Sequence, residues 1–239
     1  MSIQEICEKY SIENYTINDD GSIDVNGSVK LSIFDLNKLP LNFNKVTGSF
    51  QCGRNKLTSL EGSPKWVGGF FNCANNELTT LKGSPESIGG YFNCRGNKLT
   101  DLKGCPKSIE HSFNCRYNNL TSLEGGPISV CGNFDCGDNE LVDLKGCPER
   151  VGKDFFCSDN KLTSLEGNIK SLGLSLYCDN NPLESIFNDV GIDFIIAFKS
   201  FKVIQDGVVN LKRLKYVMEV FDRPIYLDVI KKYYKVKYL

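Results

Sequence analysis

A cysteine every 21 residues constrains this chain more than any other feature in it. Cys52, Cys73, Cys94, Cys115, Cys136, Cys157 and Cys178 keep that spacing without a slip. A fixed period of this length marks a stacked repeat rather than a globule with one closed core. The neighbouring files keep step. Asn55, Asn76, Asn97, Asn118, Asn139, Asn160 and Asn181 follow each cysteine by three residues. Leucines run from Leu57 to Leu183 and again from Leu60 to Leu165, glycines from Gly62 to Gly167 and prolines from Pro64 to Pro148. One turn reads F-x-C-x-x-N-x-L-x-x-L-x-G-x-P-x-x-[IV]. A variant turn precedes the first cysteine: Leu31 stands 21 residues before Cys52, Leu36, Leu39 and Val46 fall on the same files, and Phe34 takes the asparagine place. Terminal repeats are expected to be atypical in this way.

Each turn can be read from its spacing. Phe92 and Cys94 are two apart, so on a strand both face inward while Tyr91, Asn93 and Arg95 face outward. Asparagine after the strand suits a turn, and stacked turns would align these amides into an internal ladder that satisfies buried backbone groups. The return leg, L-x-G-x-P, cannot be a regular helix, because proline lacks the donor and restricts its predecessor. It is expected to be extended or short 3₁₀. The array is expected over residues 28–183. Residues 1–27 form a cap of one short helix and a hairpin turning at Asp19–Gly21, and residues 184–239 a helical cap. In that tail "IDFIIAFKSF", "NLKRLKYVMEVF" and "YLDVIKKYYKVKYL" show helical spacing. Leu211, Leu214, Met218 and Phe221 share a face, Asn210 is placed to cap it, and Pro224 stands beyond its end. The expected fold class is a repeat solenoid built on a parallel β-sheet, with a non-helical convex side and a cap at each end.

The pattern F-x-C-x-x-N-x-L-x-x-L is similar to the leucine-rich repeat core L-x-L-x-x-N-x-L, with Phe and Cys in two leucine places. The short period and proline-bearing return resemble the compact leucine-rich repeats of bacterial effector proteins. "LTSLEGSPKWVGGFFNC" resembles repeat proteins encoded by tailed bacteriophages and other large viruses. The resemblance covers roughly residues 20–185 and implies leucine-rich-repeat-like architecture. For a viral protein it also implies the host cytoplasm as location and a host defence or regulatory protein as partner. Effectors that double as ubiquitin ligases carry a large C-terminal catalytic domain, for which these 239 residues have no room.

The residues offer little chemistry. Lys and Arg number 28 against 29 Asp and Glu, a net charge of −1, so no global field argues for nucleic acid or a membrane. No apolar run approaches the ~20 residues of a transmembrane helix. "MSIQEICEKYS" lacks the basic start and apolar core of a signal peptide, and a cytoplasmic protein is expected. The cysteine file occupies a core position that suits a small apolar side chain, and a reducing compartment keeps such thiols free. Metal sites need cysteines converging in closely spaced pairs. Only Cys131 and Cys136 approach that spacing, and Cys136 belongs to the core file. His111 replaces a repeat glycine and has no nucleophile implied beside it. No phosphate loop, HExxH or GxSxG pattern appears. Neither enzyme activity nor a cofactor is expected.

What varies is the outward face of the strands. Three columns run along it, beginning at Ser49, Gln51 and Gly53, with arginines and aromatics toward the N-terminal half and the carboxylates Asp135, Asp138, Asp154, Asp159 and Asp179 toward the C-terminal half. The candidate partner-contacting residues are Phe70, Tyr91, Asn93, Arg95, Asn114, Arg116, Tyr117, Asp135, Phe156 and Tyr177. Aromatic and arginine anchors dominate interface energies, and Phe70 and Phe156 placed in water would call for a cover. The expected function is non-enzymatic binding of another protein by the concave sheet face. Alternatives are a small-ligand or nucleotide sink, with Arg95 and Arg116 on phosphates and Tyr91 or Tyr117 under a base, and a structural spacer in a larger particle. A second candidate surface is the tail, where Lys231, Lys232, Lys235 and Lys237 interleave with Tyr226, Tyr233, Tyr234 and Tyr238.

Overall fold

The computed structural model describes residues 1–182, 193–194, 203–205, 208–223, 225, 227–233 and 235–237. Each 21-residue unit forms one turn of a parallel β-solenoid. Eight strands stack in one sheet: Val29–Lys30, Phe50–Gln51, Phe71–Asn72, Phe92–Asn93, Phe113–Asn114, Phe134–Asp135, Phe155–Phe156 and Leu176–Tyr177. Every pairing is parallel and in register at the repeat offset, as in Phe71 opposite Phe92 and Phe113 opposite Phe134. The variant turn before Cys52 supplies the first of these strands.

The return leg is extended, as its glycines and prolines require, but it carries a feature not visible in the pattern. The residues around each Ile or Val form a second line of two-residue strands. Trp66–Val67 and Ser87–Ile88 extend a five-stranded sheet that begins at the N-terminal hairpin, and Ser108–Ile109, Ser129–Val130, Arg150–Val151 and Ser171–Leu172 form a separate sheet of four. The two halves part at Glu110 and His111. Elsewhere this corner carries at least one glycine, such as Gly68–Gly69, Gly89–Gly90 or Gly132. A Cβ built on Gly89 would be driven into the carbonyl oxygen of Gly68. Glycine thus permits the close approach that lets Gly89 N–H reach Val67 O at 2.9 Å. Glu110 and His111 bring two side chains to that corner, and among the described residues neither N–H meets a carbonyl of the preceding turn.

The interior is a set of ladders. Phe50, Phe71, Phe92, Phe113, Phe134 and Phe155 are fully buried and meet in two stacked and three edge-to-face contacts, with centroids 4.9–5.7 Å apart. Beneath them the cysteine file is buried and free of disulfides, and several thiols point at the next turn's carbonyl, as Cys115 Sγ does at Asp135 O, 3.3 Å away. The asparagine file forms the expected ladder. Asn97 Nδ2 donates to Cys73 O and Cys94 O at 3.1 and 2.9 Å, and its Oδ1 accepts from Leu78 N at 3.0 Å. The residue before each asparagine, and before Phe34 in the variant turn, has positive φ: Ile33, Arg54, Asn75, Gly96, Tyr117, Asp138, Asp159 and Asn180 lie between +49° and +70°.

Two columns of charged side chains on the outside alternate in sign from turn to turn. Asp35, Lys56, Glu77 and Lys98 form one such column, resumed by Glu140 and Lys161. Lys65, Glu86 and Lys107 form another, resumed by Glu149 and Lys170. Lys56–Asp35, Lys98–Glu77, Lys161–Glu140 and Lys170–Glu149 are ion pairs. Like charges stacked directly opposite in a sheet are destabilising, and the alternation avoids them.

At the N-terminus, α1 (Ile3–Lys9) starts with a capping box between Ser2 and Glu5. Tyr15–Ile17 pairs antiparallel with Ile23–Val25 as a hairpin, closing one edge of the five-stranded sheet. Phe34, in the place of an asparagine, packs edge-on against Tyr10 at 5.0 Å. In the tail, α2 (Leu211–Val220) is capped by Asn210, whose Oδ1 accepts from Arg213 N at 3.0 Å. Leu211, Leu214, Val217 and Met218 are its buried side. α3 spans Leu227–Tyr233. The tail departs from the all-helical expectation: Ile204–Gln205, Val208–Asn210 and Lys235–Lys237 form a three-stranded sheet. Lys-Val-Lys alternates as a strand does, and that short signal is submerged in the helical spacing around it. Val203, Leu211, Leu214, Met218 and Ile230 join the same continuous apolar core as the solenoid. Leu183, Ile186, Pro224, Tyr226, Tyr234, Tyr238 and most of "IDFIIAFKSF" lie outside the described residues, as does the expected boundary at 183.

Candidate functional site

The outward face of the eight-stranded sheet is assembled from side chains flanking each Phe and Cys. Two aromatic pairs stand on it. Phe70 and Tyr91 are stacked with centroids 4.5 Å apart and planes 6° from parallel, and Phe156 and Tyr177 are stacked at 5.1 Å and 10°. Parallel in-register strands put equivalent side chains one above the other about 4.8 Å apart, so adjacent rings stack by construction. For that reason Phe70 and Phe156 are half-buried rather than held in water as the sequence suggested, while Tyr91 is exposed. Burial raises the Tyr91 phenol above its ordinary value.

Between the pairs lies a charged cluster. The guanidiniums of Arg95 and Arg116 lie 4.6 and 5.2 Å from the Tyr117 ring centroid, within cation–π range. Arg116 also bonds Asp138 through Nε, and its Nη2 lies 3.4 Å from Asp159. Asp135 sits beside it, its carboxyl raised by burial against the lowering effect of the Gly137 N–H and Arg116. Arg116 is therefore already neutralised within the chain, which weakens its assignment to a ligand phosphate. Arg95 has no carboxylate at ion-pair distance among the described residues.

Asn93, Asn114 and Asp135 share a second role. Each accepts through Oδ1 from the backbone N–H two residues on, at Arg95, Arg116 and Gly137, and Asn72 does the same toward Ala74 at 3.0 Å. The structure brings all ten expected residues to one face. It adds the positive-φ column, from which Arg54, Asn75, Tyr117 and Asp138 project beside the strands. Sequence reading reached only Tyr117 and Asp138 of these and did not see the column. Asn, Asp and Gly tolerate positive φ, but Ile33, Arg54 and Tyr117 in the same file hide the signal.

Among the described residues no group of three or more His, Cys, Asp or Glu is placed to hold a metal ion, and no helix is long and apolar enough to cross a membrane. No protein-family model matches this chain. No curated protein matches it either.

Proposed function

We propose that this protein is a non-enzymatic binding module that holds another protein on the outward face of its eight-stranded sheet. The observation that carries the reading is the contrast between the two sides of the same strands. Inward positions repeat Phe and Cys turn after turn, whereas outward positions place two stacked aromatic pairs and an Arg95–Tyr117–Arg116 cluster on one surface. Packing dictates the first pattern and has no need of the second. Aromatic and arginine side chains are those that most often dominate binding energy. The likeness of the repeat to leucine-rich cores supports a binding role. Its likeness to phage-encoded repeats favours a host regulatory or defence protein as partner, which is an analogy of architecture.

The test compares capture from the source-cell lysate by the native chain, by Tyr91→Ala with Tyr117→Ala, and by Lys82→Glu with Lys103→Glu, two exposed lysines of the return leg. A partner held by the native chain and by the lysine variant should be lost by the tyrosine variant, with little change in Tm. Loss through the lysine pair alone would place the functional face on the return leg. Tyrosine is the better target than Arg116, because Arg116→Glu would set a third carboxylate beside Asp138 and Asp159.

A further inference from the structure

At the N-terminal end of the outward face lies a depression of about 370 Å³. Small residues make it: Gly53 and Ala74 occupy the column that carries arginine in the next two turns, so the sheet surface dips between Arg54 and Arg95. Its lining includes Gln51, Asn72 and Asn93, and no carboxylate lines it.

The hydrogen bonds give this depression a direction. Asn72 and Asn93 turn Oδ1 inward to accept from Ala74 N and Arg95 N, at 3.0 and 3.1 Å. That fixes each Nδ2 as the outward atom, a donor. Neither Nδ2 meets an acceptor among the described residues, and neither the Arg54 nor the Arg95 guanidinium meets a carboxylate there. Four donor groups, two of them cationic, thus border one hollow that no acidic side chain lines. Three turns further on the polarity inverts. Asp135 makes the same bond to Gly137 N at 3.0 Å, but its remaining outward atom is a carboxylate oxygen, and Asp138 and Asp159 follow beside it.

We infer that the Arg54–Arg95 depression is an anion-binding subsite that receives an acidic peptide segment of the protein partner. Charge-assisted bonds to carboxylates are the strongest that arginine and amide donors make. The carboxylates further along the face, which Arg116 offsets only in part, favour a partner that turns basic beyond that segment. The inference rests on the reading of this face as the binding surface and adds the chemistry and polarity of what it binds.

The test is a titration of the full chain with hexaglutamate, followed by NMR at low salt through the Arg54 and Arg95 Nε–H and the Asn72 and Asn93 side-chain amides. These resonances should shift together and saturate, hexalysine should leave them in place, and 0.5 M salt should release the peptide, since exposed charges are screened. Arg54→Ala with Arg95→Ala should weaken binding ~10-fold or more, as expected for lost bonds to charged groups, with Tm unchanged. Shifts absent or centred elsewhere overturn the subsite. Saturation by inorganic phosphate with no response to hexaglutamate overturns the acidic segment in favour of a phosphate ligand. The lysate capture separates the two claims. A partner lost by the tyrosine variant but kept by the arginine variant leaves the face standing and removes the subsite. Hexaglutamate shifts with capture mapped to the return leg leave the subsite and remove the face.

Discussion

Replacing Asn97 by alanine would strand Leu78 N and take one of two amide donors from both Cys73 O and Cys94 O, which keep Asn76 and Asn118. An unsatisfied buried group costs about 1–3 kcal/mol and each further lost bond about 1 kcal/mol, so Asn97→Ala should lower stability by ~3 kcal/mol and Tm by roughly 10 °C in a chain of this size. Asn97→Asp keeps the acceptor but sets a carboxylate against two carbonyls and should be worse; thermal melts of both variants check the order. The thiols are a second residue-level case. Burial raises Cys52 from 9.0 to about 12 and holds Cys73, Cys115, Cys136 and Cys157 well above their ordinary value. At neutral pH only the exposed Cys131 should react promptly with a thiol reagent, the other ten following on denaturation. Because folded pKa values exceed unfolded ones, the stabilisation is complete below pH 9 and is lost as pH climbs from there through 12. Each of these thiols contributes up to about 1.4 kcal/mol per pH unit in that window, so alkaline unfolding should be steep. The asparagine and cysteine files were plain in the sequence because one residue type fills each. The positive-φ column was not, since Ile33, Arg54 and Tyr117 fill places that geometry alone defines.

From Phe50 to Tyr177 the solenoid strands are two residues long in both lines, and what holds them is their stacking. Continuity is therefore a local property of each corner. The break at Glu110–His111 makes a measurable difference: in native-state hydrogen exchange the amides of Glu110 and His111 should exchange faster than those of Gly89, Cys131 and Gly152, which reach carbonyls at 2.8–2.9 Å. Equal protection at all five would mean that the second line runs unbroken. The first sheet was legible because Phe and Cys alternate with variable residues over a recognisable span. The second was not, because one Ile or Val between polar residues and glycines is too short a run to show a period. The same reason hid the strand at Lys235–Lys237, whereas the longer periodicity of α2 showed Leu211, Leu214 and Met218 on its buried side and Asn210 as its cap, and missed Val217.

For the whole molecule, stability accumulates turn by turn, since each unit contacts chiefly its neighbours. Leu176–Tyr177 is the last strand of the eight, and Val203, Leu211, Leu214 and Met218 of the tail belong to the same core. A chain ended after residue 182 should melt earlier and aggregate through its exposed edge; sedimentation showing an unchanged monomer of equal Tm would assign the tail a role other than closure. The number of turns and their order were legible from the period alone. The use of the outward face was not, since periodicity fixes where side chains point and is silent on what meets them. The alternating charge columns set a rule for changes in length. Insertions or losses in whole 21-residue units keep each asparagine in step with the carbonyls of its own turn and of the one before. Excising the single unit that carries Glu77 and Glu86 would bring Lys56 onto Lys98 and Lys65 onto Lys107, whereas excising two adjacent units, those of Lys56 and Glu77, restores opposite signs by placing Asp35 under Lys98. Length in this protein is quantised, and its surface favours even steps.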